Sequence, residues 1–153
     1  MKKLFILLLF IFAGFSSCER DDICIDEITP LLIIRFYDVT DTTLVKSVNQ
    51  LSVKLLDIEA KYLSNSATDS IALPLISSAD VTRFVLTNET NSDTITVNYM
   101  PEAVFVGRSC GFKSIFNDLD LQVTDDGENW IQSFKIITQQ IENETSAHVK
   151  IFH

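Results

Sequence analysis

The segment DTITVNY, residues 93–99, alternates without a fault: Ile95, Val97 and Tyr99 point one way, Thr94, Thr96 and Asn98 the other. Residues two apart share a face in an extended strand and not in a helix, so this period predicts a strand with one wet face. The same rhythm recurs along the chain. Leu32, Ile34 and Phe36 share a face in LLIIRFYD, Leu51, Val53 and Leu55 in QLSVKLL, and Phe84 and Leu86 in TRFVLTNE. Leu119, Leu121 and Val123 do so in DLDLQVT, and Val149 and Ile151 in HVKIFH, while WIQSFKII offers Trp130, Phe134 and Ile136. AVFVG, residues 103–107, and IALPL, residues 71–75, are shorter runs; Pro74 marks the second as an edge strand or a bulge.

Turn signals separate these runs. NETNSD, residues 88–93, predicts a hairpin loop, and the Asp-Gly pair within residues 125–129 suits a second hairpin turn. One segment breaks the period. CGFKSIFNDL, residues 110–119, places Phe112, Ile115, Phe116 and Leu119 at helical spacing, which predicts a short helical crossover near 112–119 with an apolar stripe facing the core. Eight or nine short strands with wet faces argue for an all-β chain, an antiparallel β-sandwich (immunoglobulin-like or related), over a buried parallel sheet. A partly closed barrel is the nearest competitor.

The first residues follow different rules. Met-Lys-Lys precedes the 12-residue apolar run LFILLLFIFAGF, residues 4–15. A positive start, a short apolar core and small polar residues are the parts of a secretory signal, and the run falls short of the about 20 residues that span a bilayer. It ends Phe15-Ser16-Ser17-Cys18, which resembles a bacterial lipobox, although Phe15 stands where Leu is commoner. The resemblance implies that residues 1–17 are removed and that the Cys18 thiol takes a diacylglycerol. Two or more acyl chains give stable anchoring where one does not. Glu19-Arg20-Asp21-Asp22 resembles a surface-export tag of outer-membrane lipoproteins, and reads equally as a solvated acidic tether. The expected organisation is a signal peptide, 1–17, a lipidated tether, 18–28, and one sandwich domain, 29–153.

Removing 17 residues from 153 leaves 136, one ordinary domain. The leader holds two of the twelve basic residues and none of the 21 acids, so the mature balance is ten against 21, or −11. Such a domain repels nucleic acid and bare anionic membrane, so its membrane contact is expected through the acyl chains. Cys24 and Cys110 remain in the mature chain. An exported compartment permits a disulfide between them. It would close a loop of about 87 residues and add on the order of 4 kcal/mol in the chain-entropy treatment; two unpaired buried thiols are the alternative.

Candidate chemistry is thin. Gly107-Arg108-Ser109-Cys110-Gly111 fits G-x-S-x-G, and Asp125 and His148 follow in the order α/β-hydrolases use. That fold needs parallel strands alternating with helices, which this pattern lacks, so Ser109 is a weak nucleophile candidate and a Cys110–His148 pair a weaker one. His148 and His153 make a poor metal pair near a chain end. Asp125, Asp126 and Glu128 could touch calcium, but their spacing is not that of an EF-hand and the turn explains the Asp-Gly pair. No cofactor is expected. Asn88-Glu89-Thr90 and Asn143-Glu144-Thr145 fit the glycan acceptor pattern, a reading without force in a bacterial lipoprotein.

Taken together, the lipobox, Cys24, LLIIRFYD, RSCGFKSIFNDL and the terminal HVKIF resemble a family of small bacterial envelope lipoproteins of unknown function. That resemblance implies an exported outer-membrane lipoprotein, periplasmic or surface-facing, and supports treating both body cysteines as part of the fold. The expected role is a non-catalytic binding or assembly module whose partner is an envelope protein or glycan. A structural subunit of an envelope complex and a small hydrolase using Ser109 are the alternatives.

Overall fold

A computed structural model describes Cys24 and residues 29–56, 58, 60–89, 91–125 and 127–153. The leader, Cys18 and most of the tether therefore lie outside the described residues. Nine strands follow in chain order: β1 Leu32–Tyr37, β2 Val48–Leu55, β3 Ala60–Thr68, β4 Ser70–Leu73, β5 Val81–Asn88, β6 Asn91–Gly107, β7 Gly111–Val123, β8 Ser133–Ile136 and β9 Val149–Phe152. They form a four-stranded sheet, β4-β1-β9-β8, and a five-stranded sheet, β3-β2-β5-β6-β7. All pairings are antiparallel except β1 with β9, where Ile34 lies opposite Val149 and Phe36 opposite Ile151. The architecture is a β-sandwich, with the last strand closing beside the first.

Most of the core is the set the alternation predicts, but Phe134 of β8 is exposed, and Val123 and Ile136 are only partly buried. Leu32, Ile34 and Phe36 from β1, with Leu73, Val149 and Ile151, face Leu51, Val53, Phe84, Leu86, Ile95, Val97 and Leu121 from the other sheet. Full burial of one such side chain stabilises by about 1.5–3 kcal/mol, so this double layer dominates the folding energy. Trp130, Ile131 and Ile141 enter the same core from connecting segments. β4 is an edge strand ending just before Pro74, as that proline requires.

The helical crossover near 112–119 is not formed: Gly111–Val123 is one continuous strand. The misleading spacing comes from a bulge. Asn98 lies opposite Asp120 and Met100 opposite Asn117, so β7 carries one extra residue there, and Asp118 takes φ 53° to accommodate it. Phe116 and Leu119, three apart, then both reach the core, which imitates a helical period. Nor is Phe112 a core residue; it is 69% exposed.

Three further differences have local causes. DTITVNY and AVFVG are one strand, β6, which passes through Pro101. The 125–129 segment turns no hairpin: it carries the chain from β7 to β8, which belong to opposite sheets. Gly127 still needs its left-handed backbone, φ 83°, for that change of direction. The sequence pattern predicts no strand at β3. Its pairing with β2 is interrupted by register shifts, with Gln50 and Asn65 at positive φ, so its partly buried positions lose the period of two.

Candidate functional site at the disulfide-pinned hairpin

β6 has 17 residues, whereas no strand of the opposing sheet exceeds six. At roughly 3.4 Å per residue β6 is about 55 Å long and the opposing β1 about 20 Å. The surplus is the β6–β7 hairpin arm. It closes with Gly107 opposite Gly111 across the turn Arg108–Cys110, and Gly111 sits at φ 71°, the left-handed conformation such a hairpin end demands.

Cys110 at this tip is bonded to Cys24, with the two Cα atoms 5.0 Å apart, inside the usual range for a disulfide. Four residues further along β7, the Ser114 N–H donates to the Thr29 hydroxyl at 2.9 Å. The start of the domain is thus fastened to the arm at two points. Phe105 and Phe112 lie opposite each other on the arm, ring centroids 5.3 Å apart and edge-on. They are 57% and 69% exposed. Sequence reasoning placed Phe112 in the core and missed the pair; the signal was the glycine on each side of the turn, which marks a tip.

The hydrolase-like residues are not gathered into a triad-like arrangement. Ser109 lies in the hairpin turn, followed by a strand where a nucleophile elbow needs a helix. His148, 3% exposed, belongs to the entry of β9 and has both ring nitrogens engaged by backbone. Nδ1 accepts from the Ile33 N–H at 2.9 Å, which leaves Nε2 to donate to the Asn143 carbonyl at 2.9 Å. Burial pushes its pKa below the ordinary histidine value, so this neutral tautomer is the one the fold holds. Asp125 accepts from the Gly127 N–H at 3.0 Å, a turn contact. His153 packs edge-on against Phe36 and Trp130, and burial lowers its pKa too. Asn143 of the second glycan-like triplet accepts from both the amide and the hydroxyl of Thr145, closing its own turn.

Two depressions lie on the surface. One, of about 510 Å³, is lined by the polar Asp80, Arg83, Thr96, Asn98 and Asp118 and about equally by the apolar surface of Val81, Tyr99 and Met100. Another, of about 450 Å³, lies along the β7–β8 crossover beside Asp125, Glu128 and Asn129. Among the described residues no cluster of three His, Cys, Asp or Glu side chains is spaced to hold a metal ion.

Fold and site together define a β-sandwich whose N-terminal segment is locked to a projecting hairpin by a disulfide. The chain belongs to DUF6452, a family of unknown function, whose profile matches residues 39–153. The matched stretch includes Cys110 and the whole arm, and begins after Cys24 and β1. No curated protein and no solved structure matches the chain.

Proposed function

We propose that this chain is a lipid-anchored protein of the bacterial cell envelope, acylated at Cys18 and serving as a non-catalytic binding or assembly module. The observation that carries the reading is the Cys24–Cys110 bond. It fixes the chain to the fold only six residues beyond the lipobox cysteine, and six residues reach about 20 Å at most. A bridge of this kind also suits an exported, oxidising compartment. Lipid and disulfide together hold the sandwich close to its bilayer, with the β6–β7 arm nearest the anchor. Exposed Leu56, Ile58 and Tyr62 around the β2–β3 turn supply an apolar surface for an envelope partner.

Expression of the full chain with its leader in a Gram-negative host tests the reading. The protein should partition into the detergent phase after membrane extraction, and Cys18→Ser should move it to the aqueous phase. Equal partitioning of the two would overturn it. Co-purification of a partner at fixed stoichiometry in mild detergent would define the assembly role.

A further inference from the structure

We infer that the tip of the β6–β7 arm, led by Phe105 and Phe112, enters the interfacial layer of the bilayer that holds the Cys18 acyl chains. The inference rests on the lipid-anchor reading and adds a second, protein-borne contact with the membrane.

Pairing and alternation set the face. Pro101, Ala103 and Phe105 continue the β6 side that buries Ile95, Val97 and Tyr99, and their β7 partners are Phe116, Ser114 and Phe112. The apolar face of the sheet thus runs on past the reach of the short opposing strands. Phe116 is still fully buried, while Phe112, four residues nearer the tip, is 69% exposed. Two large aromatic rings left in water at the end of an arm form an apolar point in need of cover.

The tether determines what lies within reach. Phe112 is two residues from Cys110, so its ring sits on the part of the arm that the Cys24 bond ties to the anchor. The six residues from Cys18 to Cys24 reach about 20 Å at most. An interfacial contact of about 5–10 Å depth is therefore available to the tip without unfolding anything.

Charge agrees with a phosphate-rich surface. The chain carries −9 overall, yet residues 103–114, AVFVGRSCGFKS, contain Arg108 and Lys113 and no carboxylate. Cations flanking aromatic side chains at the end of an apolar element match the layered chemistry of headgroups over acyl chains. The acids of the tether, Glu19, Asp21 and Asp22, oppose anionic lipid, so ring insertion carries the contact more than net charge does.

The test uses the full chain, expressed with its leader, shown to be acylated by detergent partitioning, and reconstituted into phosphatidylethanolamine/phosphatidylglycerol vesicles. Wild type has a single tryptophan, Trp130, 9% exposed in the core. Phe112→Trp and Phe105→Trp each add a second indole at an exposed site that tolerates exchange. Replacing part of the lipid with acyl-chain-brominated phosphatidylcholine should quench the added emission in both variants, shift the remainder to shorter wavelength, and leave wild type unchanged. An acylated variant whose added indole is not quenched overturns the insertion and leaves the anchor standing, including the case where cross-linking shows the tip seated on a second copy. A chain that is never acylated overturns the anchor, and the insertion with it.

Discussion

The Asp93 carboxylate, 1% exposed, accepts the Ile131 N–H at 2.7 Å and the Trp130 N–H at 3.4 Å, joining the start of β6 to the crossover that feeds the opposite sheet. The Trp130 indole N–H donates to the Leu86 carbonyl at 3.1 Å, so the crossover is held by side chain and backbone alike. Asp93→Ala leaves two buried N–H donors without acceptors and should lower stability by about 2–4 kcal/mol. Urea denaturation followed by Trp130 fluorescence checks this. A loss below about 0.5 kcal/mol would mean that the carboxylate does not hold the crossover.

His148 gives the sandwich a pH dependence of definite sign. Its pKa is lowered in the fold by burial, so the unfolded chain binds the proton more readily. Its contribution is fully present above the ordinary histidine value of about 6.5 and is lost as pH falls through the lower folded value. His153, shifted in the same direction, adds to the trend. Stability measured from pH 7.5 to 5 should decline, with a shallower slope in His148→Ala. That variant should also be less stable at neutral pH by about 1–3 kcal/mol, because the Ile33 N–H loses its acceptor.

Asp118 sits at φ 53° at the β7 bulge. Asp tolerates that region and Gly prefers it, whereas a β-branched residue does not. Asp118→Gly should be nearly neutral in stability, while Asp118→Val should cost about 1–2 kcal/mol. Equal stability of the two in thermal melts would show that the bulge shifts or disappears without cost.

Reduction of Cys24–Cys110 should leave the sandwich folded. Its stability should fall by less than the roughly 4 kcal/mol of the chain-entropy treatment, because the freed N-terminal segment gains entropy in the native state as well. What changes most is reach. Among the described residues, the first tie after Cys18 then moves from Cys24 to Thr29, eleven residues along, lengthening the maximal tether from about 20 Å to about 37 Å. Energy transfer between a label on the sandwich and a lipid-borne acceptor should drop on reduction and in Cys110→Ser.

How much of this was legible depended on where the strands run true. β5 and β6 pair without a shift from Val81 to Asn88, and there alternation named the buried faces directly. At Asn65 and Asp118 an extra residue resets the period, so β3 went unseen and β7 resembled a helix. The Asp-Gly pair announced a turn but not which sheet the chain would enter next, since the same local geometry serves both outcomes. Phe112 was misplaced because periodicity reports which face a ring occupies, not whether the opposite sheet extends far enough to cover it. The Cys24–Cys110 bond needed three dimensions, since it depends on a Cα separation that spacing along the chain does not contain.

The central claim is an acyl anchor at Cys18 held close to the hairpin tip. Intact mass spectrometry of the protein purified from membranes tests it most directly. The account predicts a polypeptide that begins at Cys18, carries the added mass of a diacylglycerol with or without a further acyl chain, and lacks two hydrogens for the Cys24–Cys110 bond. A mature chain with an unmodified amino terminus at any other residue would contradict it.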